Sequence, residues 1–108
     1  MDHNDPAFDE VVRLLARDVA ATLGAAHARA VEDLAANVLR LEIEHRGDKC
    51  VEDVQQYFQD TFVDTTWPAC PRHPNHPLDY ARGAWHCPRD GATVARLGQL
   101  PPRASGSP

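Results

Sequence analysis

Two segments of the 108-residue chain carry residue types that bind metal ions, Cys70-Pro71-Arg72-His73 and Cys87-Pro88-Arg89-Asp90-Gly91. Two of the three cysteines and three of the six histidines fall between positions 70 and 87. A Cys-x-x-ligand turn lets two side chains converge on one ion while nearby backbone N–H groups point at the sulfur. Proline in second place presets the backbone angle of such a turn, and glycine after the last ligand accepts a positive one. An aromatic residue precedes each turn, Trp67 and Trp85, placed to shield a bound ion from water. An odd cysteine count argues against a disulfide scaffold, and clustered thiols and imidazoles in a reducing compartment point to a metal instead.

A mixed sulfur and nitrogen set suits zinc in a closed tetrahedron better than magnesium, calcium or haem, and iron held as in rubredoxin would want four thiolates. Cys70, His73 and Cys87 are the ligands that this pattern names directly. The fourth is open between His76, three residues beyond His73, and Asp90 in the second turn; imidazole is the commoner partner beside two thiolates. His86 adjoins Cys87, and a strand would send those two side chains to opposite faces. The plainer alternative is a proline-rich loop whose cysteines and histidines only pack or face solvent.

The pattern resembles the zinc-ribbon and rubredoxin-like knuckle family, whose motif runs Cys-Pro-x-Cys, a loop, then Trp-x-Cys-Pro-x-Cys-Gly. The resemblance covers residues 67–97, under a third of the chain. It matches Cys70 and Cys87 to the first and third ligands, and Trp85, Pro88 and Gly91 to supporting positions. His73 stands where the family has its second thiolate, and Asp90 where it has its fourth. The resemblance implies a small sheet braced by Zn2+.

The segments Leu78–Tyr80, Ala84–His86 and Thr93–Leu97 predict three short strands around this site, with Arg82-Gly83 as the turn between the first two. So small a sheet cannot stand alone, and metal binding would supply much of its folding free energy. Upstream, Phe8, Val11, Val12, Leu15, Val19 and Leu23 recur at helical spacing between Asp5-Pro6 and Gly24. A second helix is predicted from His27 to Arg46, ending at Gly47. Its apolar residues make one stripe (Val31, Leu34, Val38, Leu41) and a neighbouring one (Ala35, Leu39, Ile43), wide enough for more than one neighbour. Asp48 would cap a third helix running to Phe62, with Val51, Val54, Phe58 and Phe62 on one face. The expected fold class is α+β: an N-terminal three-helix bundle or hairpin, then a small zinc-ribbon-like three-stranded β module. The expected boundaries are 1–66 for an acidic helical region, 67–97 for the module and 98–108 for a Pro/Gly/Ser-rich disordered tail.

Charge follows the same division. Six basic residues face fourteen acidic ones through Thr66, whereas five arginines face Asp79 and Asp90 from Trp67 onward, within an overall net charge of −5. The longest nearly apolar run, Val19 to Ala26, falls far short of the ~20 residues of a membrane span. The acidic, polar start (Met1-Asp2-His3-Asn4-Asp5) lacks the features of a presequence, so a cytoplasmic protein without a membrane partner is expected. Ten arginines against the single Lys49, with abundant alanine, match GC-rich bacterial coding.

These features favour a non-enzymatic, zinc-stabilised protein-interaction module, an adaptor or small regulator that binds a protein partner or itself through the helical region. The alternative is a zinc-ribbon nucleic-acid binder working through the module's arginines, since the acidic third helix would be repelled by phosphate. Less favoured is a metal-dependent hydrolase, which needs an open water position and a base beside the ion. Cys50 reads either as a thiol activated by a helix terminus or, more simply, as a small apolar residue. His27 and His45 read as surface or helix-end residues.

Overall fold

A computed structural model of the chain describes residues 6–41, 46–61, 66–71 and 73–101. Three helices come first: α1 (Pro6–Leu23), α2 (Ala25–Leu39) and α3 (Arg46–Asp60). Five short strands follow: β1 (Ala69–Cys70), β2 (His73–Pro77), β3 (Asp79–Ala81), β4 (Ala84–His86) and β5 (Thr93–Arg96). The architecture is α+β, as the alternation of patterns predicts. Asp5, Ile43, His45, Phe62, Arg72 and residues 102–108, which entered the expectations above, lie outside the described residues.

Each helix buries one stripe: Phe8, Leu15 and Val19 of α1, Val31, Ala35 and Val38 of α2, and Cys50, Val51, Val54 and Phe58 of α3. All three helices pack against one another, so the width of the α2 stripe is used within the chain. Gly24 separates α1 from α2 at φ 108°, and its N–H reaches the carbonyls of Val19 and Ala20, each at 3.2 Å. A residue with a Cβ is strained at that angle, which makes the short connection a glycine position.

Two expected boundaries are corrected. Helix α2 ends at Leu39 rather than Arg46, and Arg46 and Gly47 belong to the first turn of α3. Arg46 donates from Nη1 to the Leu39 carbonyl (3.3 Å), and its guanidinium lies 5.9 Å from the Phe8 ring centroid. It thereby joins the end of α2 to the starts of α1 and α3. A Cβ on Gly47 would meet Val11 Cγ2 at 3.0 Å, so this glycine permits close helix approach instead of stopping a helix. Leu41, assigned to the buried stripe by spacing, lies past the end of α2 and is 39% exposed.

Strands β3, β4 and β5 form one antiparallel sheet in chain order, matching the three expected strands. Arg82 (φ 52°) and Gly83 (φ 75°) make its first turn, the paired positive angles of a two-residue hairpin. The antiparallel ribbon of β1 and β2 has no counterpart in the sequence reading, because prolines at 74 and 77 hide it. Proline is tolerated there since a two-stranded ribbon consists of edges.

The sheets share the helices' core. Trp67, Cys70, Leu78, Trp85, Cys87, Leu97 and Leu100 are buried in one cluster with the helix stripes. Hydrogen bonds fasten the contact. The fully buried Asp18 of α1 accepts from Trp85 Nε1 (2.9 Å), the Gly98 amide (2.8 Å) and the Leu100 amide (2.9 Å). One turn on, Thr22 Oγ1 accepts from Trp67 Nε1 (2.8 Å) and donates to the Asp18 carbonyl (2.7 Å). From α3, Gln55 Nε2 donates to the Leu78 carbonyl (2.9 Å), and Gln59 Nε2 to that of Trp67 (3.0 Å). Residues 98–100, read as the start of a tail, are therefore held against α1. Replacing Gly98 would be strained, since its φ is 90° and a Cβ would lie 2.5 Å from Leu14 Cδ2.

Removing the Asp18 carboxylate leaves three buried N–H donors without an acceptor. Asp18→Ala is expected to lower stability by about 3–5 kcal/mol in urea unfolding, at the upper end for single substitutions. A change within about 1 kcal/mol, the size of an ordinary surface effect, would show that the donors find other partners.

Candidate metal centre

Three side chains from two turns converge. Cys70 closes β1 and pairs in register with His73, the first residue of β2. Cys87 follows β4 directly, at the start of a tight turn closed by Cys87 N–H to Ala92 O (2.8 Å) and Gly91 N–H to Cys87 O (2.9 Å). Gly91 has φ 77°, the positive angle expected of glycine there. The Arg89 amide points at Cys87 Sγ (3.4 Å), the N–H to sulfur contact that a thiolate in such a turn attracts.

The ligand atoms of Cys70, His73 and Cys87 all lie within 4.8 Å of one another, the one such group of His, Cys and acidic residues among the described residues. Both cysteines are buried and His73 is half-buried. His73 Nδ1 is 3.6 Å from Cys70 Sγ and 3.4 Å from Cys87 Sγ. One ring nitrogen carries one proton or one lone pair, so it cannot hydrogen-bond fully to both sulfurs. An ion held between the three atoms would resolve this. Zn–S of about 2.3 Å and Zn–N of about 2.0–2.1 Å put sulfur and nitrogen about 3.6 Å apart across a tetrahedron's edge. The spacing in this chain fits that edge.

The other residues named from sequence fall outside that group of three. His76 is exposed on β2, its ring centroid 6.3 Å from that of His73. Asp90 is exposed, and its Oδ1 accepts from the Ala92 amide (2.9 Å). His86 is turned away from the cluster, with Nε2 3.0 Å from the Ala81 carbonyl and Nδ1 3.2 Å from Thr93 Oγ1. His27 is a helix-end residue as expected, in the first turn of α2, half-buried and packed edge-on against Phe58 at 6.0 Å. None of the three cysteines is in a disulfide.

Aromatic rings connect the centre to the helices. Phe58, Trp67, Trp85 and Tyr80 follow one another edge to face, with centroids 5.4, 5.6 and 5.3 Å apart. Trp67 and Trp85 are both fully buried, three residues before Cys70 and two before Cys87 respectively. The tryptophans that flank the site are anchored to α1 through indole N–H bonds to Thr22 and Asp18. Asp18, Thr22, Gln55 and Gln59 were not singled out from sequence. Asp18 alone left a signal, a charge between Leu15 and Val19 on an apolar helix face.

No protein-family model, curated protein or solved structure matches the chain, and the resemblance over residues 67–97 stands on its motif residues alone. No helix among the described residues is long and apolar enough to cross a membrane.

Cys50 is fully buried on the inner face of α3. Burial, with a smaller contribution from the Asp53 carboxylate, pushes its thiol up to about 11, in line with the reading of Cys50 as a small apolar residue. Burial first and the Asp48 carboxylate second likewise push the Tyr80 hydroxyl up to about 12. In both cases the unfolded chain releases its proton at lower pH than the folded one, so stability falls as pH rises above the unfolded value. The urea midpoint of metal-loaded protein should therefore drop between pH 9 and about 11, and Cys50→Ala should flatten that drop. An unchanged slope in the variant would mean that Cys50 does not govern this window.

Proposed function

We propose that the chain is a non-enzymatic, zinc-stabilised protein-interaction module, a small adaptor or regulator of the reducing cytoplasm. The observation that carries the zinc reading is the near-equal distance of His73 Nδ1 from two buried sulfurs, at the edge length of a zinc tetrahedron. Zinc at this point would supply a fixed crosslink between the β1–β2 ribbon and the Cys87 turn. Cys70, His73 and Cys87 would hold it, and Trp67 and Trp85 would keep water from one side.

The surface supports docking better than catalysis. Cys70, Cys87 and their flanking tryptophans are buried, and His73 is half-buried. Along α3, Asp48, Glu52, Gln56 and Asp60 recur every four residues on the exposed side, beside the half-exposed Tyr57. Helix α3 contains two basic and four acidic residues, Arg46 being added by its earlier start. Such a face repels phosphate backbones and suits a protein of basic character. Arg82, Arg89 and Arg96 are exposed on the sheet side, so a second copy of the chain offers one complementary surface.

Protein purified without chelator should contain one zinc per chain, and Cys87→Ser should weaken zinc binding by more than the about 10–100-fold typical of outer-shell changes. Gel-shift assays near physiological salt should give only about micromolar or weaker nucleic-acid binding. Metal-free protein of native fold would remove the zinc reading. Tight, salt-resistant binding of DNA or RNA would replace the protein partner with a nucleic acid, and zinc-dependent turnover would make the chain an enzyme.

A further inference from the structure

Cys70, His73 and Cys87 account for three of the four positions around a tetrahedral ion. We propose that His76 supplies the fourth ligand, carried to the site by an irregularity in the β1–β2 ribbon; this rests on the reading of the site as a zinc centre. In that ribbon Ala69 pairs with Pro77 and Cys70 with His73, so one step along β1 faces four along β2. Residues 74–76 are thus extra to the pairing and bulge from it. A regular strand would send side chains three apart to opposite faces, and a bulge re-aims them. Here the His76 ring stands next to the His73 ring, centroids 6.3 Å apart and planes at 72°.

His76 stands outside the group whose ligand atoms converge, so its ring must turn to reach the ion. Two imidazoles on one tetrahedral zinc, with Zn–N near 2.0–2.1 Å, have centroids about 5 Å apart. His76 is exposed, and no hydrogen bond among the described residues holds it in place. Rotation of such a ring costs little, because its outer torsion is broad. Asp90, which occupies the fourth position of the knuckle motif, already has work in the turn. Its Oδ1 accepts from the Ala92 amide at 2.9 Å, and Ala92 O in turn accepts from the Cys87 amide. That is the local bond by which aspartate stabilises a turn. Asp90 shapes the loop that presents Cys87, and His76 completes the shell.

The test is zinc competition against a chromophoric chelator, with wild-type protein, His76→Ala, His76→Cys and Asp90→Asn. Asparagine keeps the acceptor for the Ala92 amide while removing the carboxylate, so it separates the two roles. His76→Ala should weaken zinc binding at least about tenfold, His76→Cys should restore most of it, and Asp90→Asn should change it little. Independently of any variant, long-range proton–nitrogen NMR of the wild type should show a His76 ring nitrogen shifting on zinc addition. Wild-type affinity in His76→Ala, or His76 nitrogens unmoved by zinc, would overturn the assignment. Failure of the wild type to take up one zinc would instead overturn the zinc reading on which it rests.

Discussion

The arrangement of this protein depends on one buried carboxylate. Asp18 lies on the inner face of α1 with no exposure, and taking a carboxylate out of water costs several kcal/mol unless it is bonded on all sides. The compensating donors all come from the C-terminal third of the chain: the Trp85 indole and the amides of Gly98 and Leu100. Helix α1 therefore cannot be satisfied in its folded position without β4 and the segment after β5. The requirement is reciprocal, because those three N–H groups are buried too. The Trp67 indole repeats the arrangement one turn further along α1, at Thr22. Both turns that carry the candidate ligands are thus rooted on a single helix face, at positions 18 and 22.

This rooting changes what a metal would do for the fold. A three-stranded sheet with strands of three or four residues is too small to stand alone. Here it borrows the helices' core, through Trp67, Trp85, Leu78 and Leu97, and lends its N–H groups to Asp18. An ion held by Cys70, His73 and Cys87 would fix the spacing of two turns that lie two and three residues from those tryptophans. Its binding free energy would then be shared by helices and sheets.

Much of this was legible in the sequence, and the reasons for the rest are physical. Helix α1 was readable at both ends because Pro6 and Gly24 punctuate it. The α2–α3 junction was misread because Gly47 looks like a helix stop, whereas its role is to let α3 approach Val11. Cys70, His73 and Cys87 were named by motif spacing, which is local and survives without a structure. The β1–β2 ribbon was hidden by its prolines. Asp18, Gln55 and Gln59 were missed for a different reason, since the groups their side chains bond lie 8 to 82 residues away and no local pattern records such a pairing. Hence the two regions looked separable in sequence although they share one core.

A metal held by Cys70, His73 and Cys87 would form one cooperative unit with the helices, joined at Asp18. Hydrogen exchange at the Trp85 indole and at the Gly98 and Leu100 amides, compared between zinc-loaded and metal-free protein, tests it most directly. These protons and the α1 amides around Asp18 are expected to lose protection together, by more than about tenfold, when the metal is removed. Helix protection that stays intact while the sheet exchanges freely would contradict it.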